Sequence, residues 1–172
     1  MKRNELDRFL TGKMSFEKKS AKRHDDYKPK LSGSLIALPA LVRLTRGTKE
    51  VPRNNINGVA KALDFSQEEL KKAIQCSISD ATVYFSLCVA LLKFLQRKKG
   101  EYPNEYRGFE NPMEKSIILL LKHAIALWHP KRITEYDISK LEKILGNLGS
   151  FEKENSMIIE IRNTIIYLIK EK

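Results

Sequence analysis

The side chains of this sequence that could do chemistry are mainly lysines and arginines, which occur in groups along its first hundred residues. One group of four recurs at spacings of three or four residues, at Arg43, Arg46, Lys49 and Arg53. Two more groups stand before and after it, and their members are Lys18, Lys19, Lys22, Arg23, Arg97, Lys98 and Lys99. Ammonium and guanidinium groups bind phosphate oxygens, and a basic surface is the electrostatic footprint of a nucleic-acid-binding protein. We therefore predict that these side chains contact phosphates.

The net charge is unevenly distributed along the chain. The whole chain carries 32 Lys and Arg against 21 Asp and Glu, a net charge of +11. Residues 1–100 hold 21 basic and 10 acidic residues, whereas residues 101–172 hold 11 of each. The entire excess thus belongs to the first hundred residues. A basic balance favours a polyanionic partner, although it carries no information about the fold.

No catalytic or metal-binding pattern accompanies these cations. The sequence has no zinc-ligand spacing, no phosphate-binding loop of the GxxxxGK[ST] kind and no GxSxG elbow. Its three histidines, His24, His123 and His129, are interpreted as structural. Cys76 and Cys88 have no metal-ligating companions and are predicted to be buried thiols in a reducing compartment. We therefore predict no enzymatic activity, no cofactor and no metal.

Arg162 and Asn163, followed by Tyr167, resemble the Arg-polar-x-x-x-His signature of HEPN-type ribonucleases. In that family the arginine holds phosphate and the histidine transfers protons. Here Tyr167 stands in the place of the histidine, and a phenol with a pKa of about 10 exchanges protons poorly at neutral pH. This departure from the signature argues against ribonuclease activity at this position.

Residues 80–99 predict the central helix of the protein. Almost every residue from 81 to 95 is apolar, which is typical of a helix that is buried on all sides. A second helix of this kind is predicted over residues 113–128, after the start signal Asn111-Pro112. The apolar run of the first helix is too short to cross a bilayer core, so we predict no integral membrane span.

Around this pair of largely buried helices the pattern predicts an all-α protein, a single-domain bundle of about six to seven helices. Residues 1–30 are predicted to form a basic, flexible N-terminal arm, and residues 31–172 an all-helical globular domain. A helix with Pro39 near its first position, ending at Gly47, would place Arg43 and Arg46 on one face.

Two functions remain open at this point. The first is non-catalytic binding of RNA or single-stranded DNA, in a small component of a nucleoprotein assembly such as a viral nucleocapsid or accessory protein or a small subunit of an RNA-guided complex. The neutral residues 101–172 would then meet other protein subunits. The alternative is a protein-interaction module, an adaptor, effector or inhibitor whose basic half meets an acidic partner. Both predict a cytoplasmic protein, in a cell or an infected host.

Overall fold

The computed structural model describes residues 1–30, 42–47, 49–101, 103–151 and 155–171. The chain divides into two compact units. Unit 1 is Met1–Cys76 and unit 2 is Ser77–Lys172.

Unit 1 begins with a helix whose apolar side is buried. Helix α1 (Arg3–Arg8) continues directly into a π-helical segment, Phe9–Lys13. Leu6 and Leu10 stand four residues apart and are both fully buried, as the period of a helix requires of one face. These apolar residues lie in the part of the chain that the sequence predicts to be an arm.

A three-stranded antiparallel sheet follows in unit 1. Its strands are β1 (Phe16–Ser20), β2 (His24–Pro29) and β3 (Val42–Thr45), arranged in that order. Successive side chains of a strand point to opposite faces of a sheet. In β2, Asp25 and Tyr27 are therefore buried on one face, whereas Asp26 lies on the other. We call these the inner face and the outer face.

Two short helices follow in the described part of unit 1. Helix α2 (Arg53–Ala62) follows Pro52, and helix α3 (Gln67–Ile74) ends shortly before the boundary of the unit. The hydroxyl of Ser66 accepts a hydrogen bond from the Glu69 amide at 3.1 Å, and the Glu69 carboxylate accepts one from the Ser66 amide at 2.8 Å. This is the capping box that the spacing of serine and glutamate predicts.

The described residues of unit 2 form four helices and a short 3₁₀ turn, Pro130–Arg132. The helices are α4 (Asp80–Glu101), α5 (Pro103–Leu127), α6 (Glu135–Gly149) and α7 (Ser156–Lys170). Helix α4 is buried on every side from residue 81 to residue 92, and it packs along α5 and against α6. The predicted central pair of helices is therefore present.

Asp137 joins the beginnings of two helices in unit 2. Its buried carboxylate accepts hydrogen bonds from the amide of Thr134, before α6, and from the amide of Ser79, before α4, each at 2.8 Å. Burial raises the pKa of this carboxyl, but the hydrogen bonds from Thr134, Ser79 and Thr82 outweigh it and lower the pKa overall. The group therefore caps both helices as an anion.

The all-α prediction is wrong, because the described part of the chain contains the sheet of unit 1 in addition to seven α-helices. The helix predicted to end at Gly47 is also wrong over Val42–Thr45, which is strand β3. In this strand Val42 and Leu44 are buried and Arg43 is exposed, a period of two that no helix produces. The earlier part of that predicted helix, including Pro39, lies outside the described residues.

Residues 1–30 differ from the predicted flexible arm. They contain α1, β1 and β2, and they bury large apolar side chains that anchor them to the rest of unit 1. The buried members are Leu6, Phe9, Leu10, Met14, Phe16 and Tyr27. The predicted boundary after residue 30 also falls inside unit 1, whereas the structure divides the chain after Cys76.

Smaller differences concern helix α5 and one cysteine. Two glycines and two prolines in residues 100–112 predict a connecting loop, but α5 already begins at Pro103. Proline suits the first turn of a helix, where its missing amide is not needed. Cys88 is buried as predicted, but Cys76 is exposed. Among the described residues, no helix is both long enough and apolar enough to cross a membrane.

Candidate nucleic-acid interface

A buried carboxylate organises the inner face of the sheet in unit 1. Asp25 is 4% exposed, and its carboxylate accepts a hydrogen bond from Nη2 of Arg3 at 2.7 Å and one from the Ser20 hydroxyl at 2.8 Å. Nζ of Lys18 lies 3.3 Å from the same carboxylate. Arg3 also donates to the carbonyl of Thr45. These contacts fasten α1 to β2 and β3, and β1 to β2.

A second carboxylate of the inner face, Asp7, comes from α1. Nζ of Lys18 lies 3.0 Å from it, and the hydroxyl of Tyr27 donates a hydrogen bond to it. Burial and this hydrogen bond raise the pKa of Tyr27 to about 12, so its phenol stays protonated. Burial lowers the pKa of Lys18, but its hydrogen bonds to Asp7 and Asp25 raise the pKa overall. Lys18 is therefore paired with two carboxylates and is not an open phosphate ligand.

Acid should weaken unit 1 through Asp25. Burial raises the pKa of its carboxyl, but hydrogen bonds from Ser20 and Lys18 and the charge of Arg3 lower it overall, below 3.8. Stabilisation by the carboxylate is therefore complete above about pH 4 and is lost as the pH falls through the lower folded value. We expect the amide NMR signals of β2 to lose dispersion only below about pH 4. Loss of these signals near pH 6 would contradict this assignment.

The outer face carries a different set of charges. Nε and Nη2 of Arg43 donate to the two oxygens of Asp26, at 2.7 and 3.2 Å, across the β2–β3 pair. Nε2 of His24 lies 4.0 Å from the same carboxylate. The hydrogen bond from Arg43 lowers the pKa of Asp26 and raises that of Arg43.

Arg46 braces the turn between β1 and β2. Its Nη1 donates to the carbonyl of Ala21 at 3.1 Å, and its backbone amide donates to the carbonyl of Arg23 at 3.0 Å. Its Nε lies 3.5 Å from Asp25. Lys22 and Arg23 are exposed in this turn, at one end of the sheet. The turn therefore presents two neighbouring cations on a fixed backbone.

The predicted phosphate-binding residues of unit 1 thus fall into two sets. Lys18, Arg43 and Arg46 lie within 4 Å of carboxylates. The others are exposed and make no ion pair or side-chain hydrogen bond with any residue the structure describes. We call this second set the open cations, and its members are Lys19, Lys22, Arg23, Lys49 and Arg53.

The remaining predicted residues belong to α4 in unit 2. The guanidinium of Arg97 lies 5.6 Å from the centre of the Phe94 ring, and Nζ of Lys98 lies 5.8 Å from it. Both are within the range of cation–π contact. Lys99 continues α4, but its side chain lies outside the described set. These residues are part of a separate unit and are not assigned to the interface of unit 1.

Sequence reasoning missed the carboxylates that divide the predicted cations into two sets. Asp7, Asp25 and Asp26 lie among the basic residues of the first thirty positions. The adjacent Asp25 and Asp26 were a usable signal, because neighbouring residues of a strand face opposite sides and need different partners.

No protein-family model matches this chain, and no curated protein and no solved structure matches it either.

Proposed function

We propose that this protein binds RNA or single-stranded DNA without catalysis, through the phosphate backbone and the open cations of unit 1. The observation that carries the proposal is the presence of five exposed basic side chains that no described carboxylate neutralises. They belong to a unit with 17 Lys and Arg against nine Asp and Glu, a net charge of +8. A cation without a carboxylate partner keeps its attraction for phosphate, whereas a paired one has lost most of it.

The proposed binding is independent of base sequence. Lysine and arginine side chains at the surface neutralise phosphates and release counterions, which carries no sequence information. The proposed setting is a small component of a nucleoprotein assembly. Unit 2 would meet other protein subunits. Six large hydrophobic side chains in its described part are about two-fifths or more exposed, and such a subunit could cover them: Leu119, Ile125, Leu127, Tyr136, Ile159 and Tyr167.

Reversing the charge of four open cations tests the proposal. The variant is K22E/R23E/K49E/R53E, and the assay is a titration of a single-stranded oligonucleotide with the full chain at several salt concentrations. With four phosphate contacts, the slope of log K against log salt should be on the order of −3, at about −0.7 per contact. We expect the variant to flatten this slope and to weaken all base sequences alike. The fold should persist, because all four side chains are exposed.

The matched control reverses four exposed cations of unit 2, and these are Lys115, Lys122, Lys131 and Arg132. It changes the net charge of the chain by the same amount, so it separates a local site from a general loss of positive charge. Lys140 is unsuitable for this purpose because it is only 3% exposed. Equal weakening by both variants, or no binding by the native chain at low salt, would overturn the proposal.

The same titrations test whether binding is non-catalytic. The oligonucleotide should be recovered at full length after incubation with the native chain. Fragments that disappear in a His24→Ala variant would overturn this part of the proposal, because His24 is the one histidine in the sequence of unit 1 and stands beside Asp26. If the native chain shows no affinity for nucleic acid, the interaction of its basic half with an acidic protein becomes the leading hypothesis.

A further inference from the structure

The pairing of Arg43 with Asp26 has a consequence for binding at the outer face. We propose that Asp26 competes with a nucleic-acid phosphate for the guanidinium of Arg43. Arg43 can then bind a phosphate only after it leaves Asp26, so Asp26 limits the affinity of the interface for nucleic acid. This inference rests on the function proposed above, because it concerns the regulation of the same surface.

The competition follows from the atoms that Arg43 uses. Its Nε and Nη2 both point at Asp26, one to each carboxylate oxygen, at 2.7 and 3.2 Å. A guanidinium binds a phosphate through the same planar fork of two parallel N–H groups. One edge of the fork cannot serve both anions at once. A phosphate that approached the other edge would still meet the negative charge of Asp26 nearby.

The exchange of partners is feasible because Arg43 is exposed, although the side chain of Asp26 is only 19% exposed. The side chain of Arg43 is 63% exposed, and an ion pair in contact with water contributes little to stability. The inner-face pair provides the contrast, since the side chains of Arg3 and Asp25 are only 13% and 6% exposed. A phosphate can reach Arg43 without opening the fold, but it cannot reach Arg3 in this way.

The register of the sheet places Asp26 between two cations. Asp26 stands opposite Arg43 in the β2–β3 pair and opposite Lys19 in the β1–β2 pair. The three residues therefore form a row across the outer face, two strand spacings or about 10 Å long. Lys19 is one of the open cations. With the charge of Asp26 removed, the two ends of the row become parts of one phosphate-binding surface.

A gain of affinity tests this inference. In Asp26→Asn the amide cannot hold Arg43 as a carboxylate does, so we expect single-stranded oligonucleotides to bind about two- to five-fold more tightly at low salt. The salt slope should steepen by about 0.7, which corresponds to one additional phosphate contact. The matched control is Glu17→Gln. Glu17 is an exposed residue of β1 on the same outer face, and its replacement removes the same charge. It should leave the slope unchanged.

Two further variants tie the gain to Arg43. Arg43→Gln alone should change the affinity of the native chain very little, because its guanidinium is already engaged. In the double variant D26N/R43Q the gain should disappear. Asp26→Thr serves as a second replacement if Asp26→Asn does not fold, since threonine is well suited to a strand. Circular dichroism checks the fold of each variant before titration.

The outcomes separate this inference from the function on which it rests. If the native chain does not bind, the proposed function fails. If it binds, but Asp26→Asn tightens binding no more than Glu17→Gln does, the competition does not exist. A weaker Asp26→Asn variant would also overturn the inference, because Asp26 would then orient Arg43 for phosphate rather than withhold it. A gain that persists in D26N/R43Q would show that another cation is responsible.

Discussion

Replacing Asp25 with alanine is expected to destabilise unit 1 by about 3 kcal/mol, because it leaves a largely buried cation without its partner. The side chain of Arg3 is 13% exposed and approaches the Asp25 carboxylate to 2.7 Å. Lys18 and the hydroxyl of Ser20 lose an acceptor in the same substitution. The loss should be largest where α1 meets the sheet, since these contacts fasten that helix to the strands.

Hydrogen–deuterium exchange of the full chain, followed by mass spectrometry, measures this effect on peptides that cover the strands. Protection in β1 and β2 should fall in Asp25→Ala while the peptides of unit 2 keep theirs. Asp26→Ala is the matched control, one position along the same strand, and should cost less than about 1 kcal/mol because its partner Arg43 is exposed and stays hydrated without it. Equal effects at the two positions would contradict the assignment of inner and outer faces.

Leu91→Ala or Leu120→Ala should each destabilise unit 2 by about 2–5 kcal/mol, the range for truncation of a buried leucine. Both side chains are fully buried, Leu91 on α4 and Leu120 on α5, the two helices that pack along each other. Each truncation removes apolar contacts and leaves a cavity that the surrounding helices fill only partly.

Guanidinium unfolding followed by tryptophan fluorescence measures this loss. Trp128 is the single tryptophan of the chain and belongs to unit 2, so its signal reports on that unit. Leu119→Ala is the control next to Leu120. Its side chain is 41% exposed, and we expect its midpoint to shift far less. Similar shifts for Leu119 and Leu120 would show that α5 is turned differently on α4.

The helices of unit 2 could be predicted because their sequences carry strong local signals. The continuous apolar run of α4 indicates burial on all sides, and Thr134 with Asp137 gives the capping box that begins α6. Each signal depends on neighbours within one or two turns, which a single sequence displays in full. The beginning of α5 was harder to predict, because prolines and glycines disfavour a helix. The structure nevertheless forms this helix from Pro103.

The sheet could not be predicted, because polar residues occupy several inward positions of β1 and β2. Strand β1 places one apolar residue, Phe16, on the inner face, and the next two inward positions are Lys18 and Ser20. Asp25 is buried in β2 where an alternating pattern would have an apolar residue. The partners that make this burial favourable come from α1 and β1, so no local window of the sequence contains them.

The sequence predicts which residue types form the candidate site, but it does not predict which cations pair with carboxylates. The cations could be listed from the sequence, yet their availability depends on carboxylates at a distance along the chain. Arg43 meets Asp26 across 17 positions, and Lys18 meets Asp7 across 11. Long-range pairing of this kind follows from strand register and helix docking, which the all-α prediction could not contain.

Asp137 couples the beginnings of two helices. Ser79 and Asp137 are 58 positions apart in the chain, yet one carboxylate accepts hydrogen bonds from the amides just before α4 and α6. If the start of α6 frays, the carboxylate moves away and the start of α4 loses this hydrogen bond in the same motion, although the Ser79 hydroxyl still accepts one from the Thr82 amide. Opening at one helix start therefore lowers the free energy of opening at the other, although the two segments are remote in the sequence.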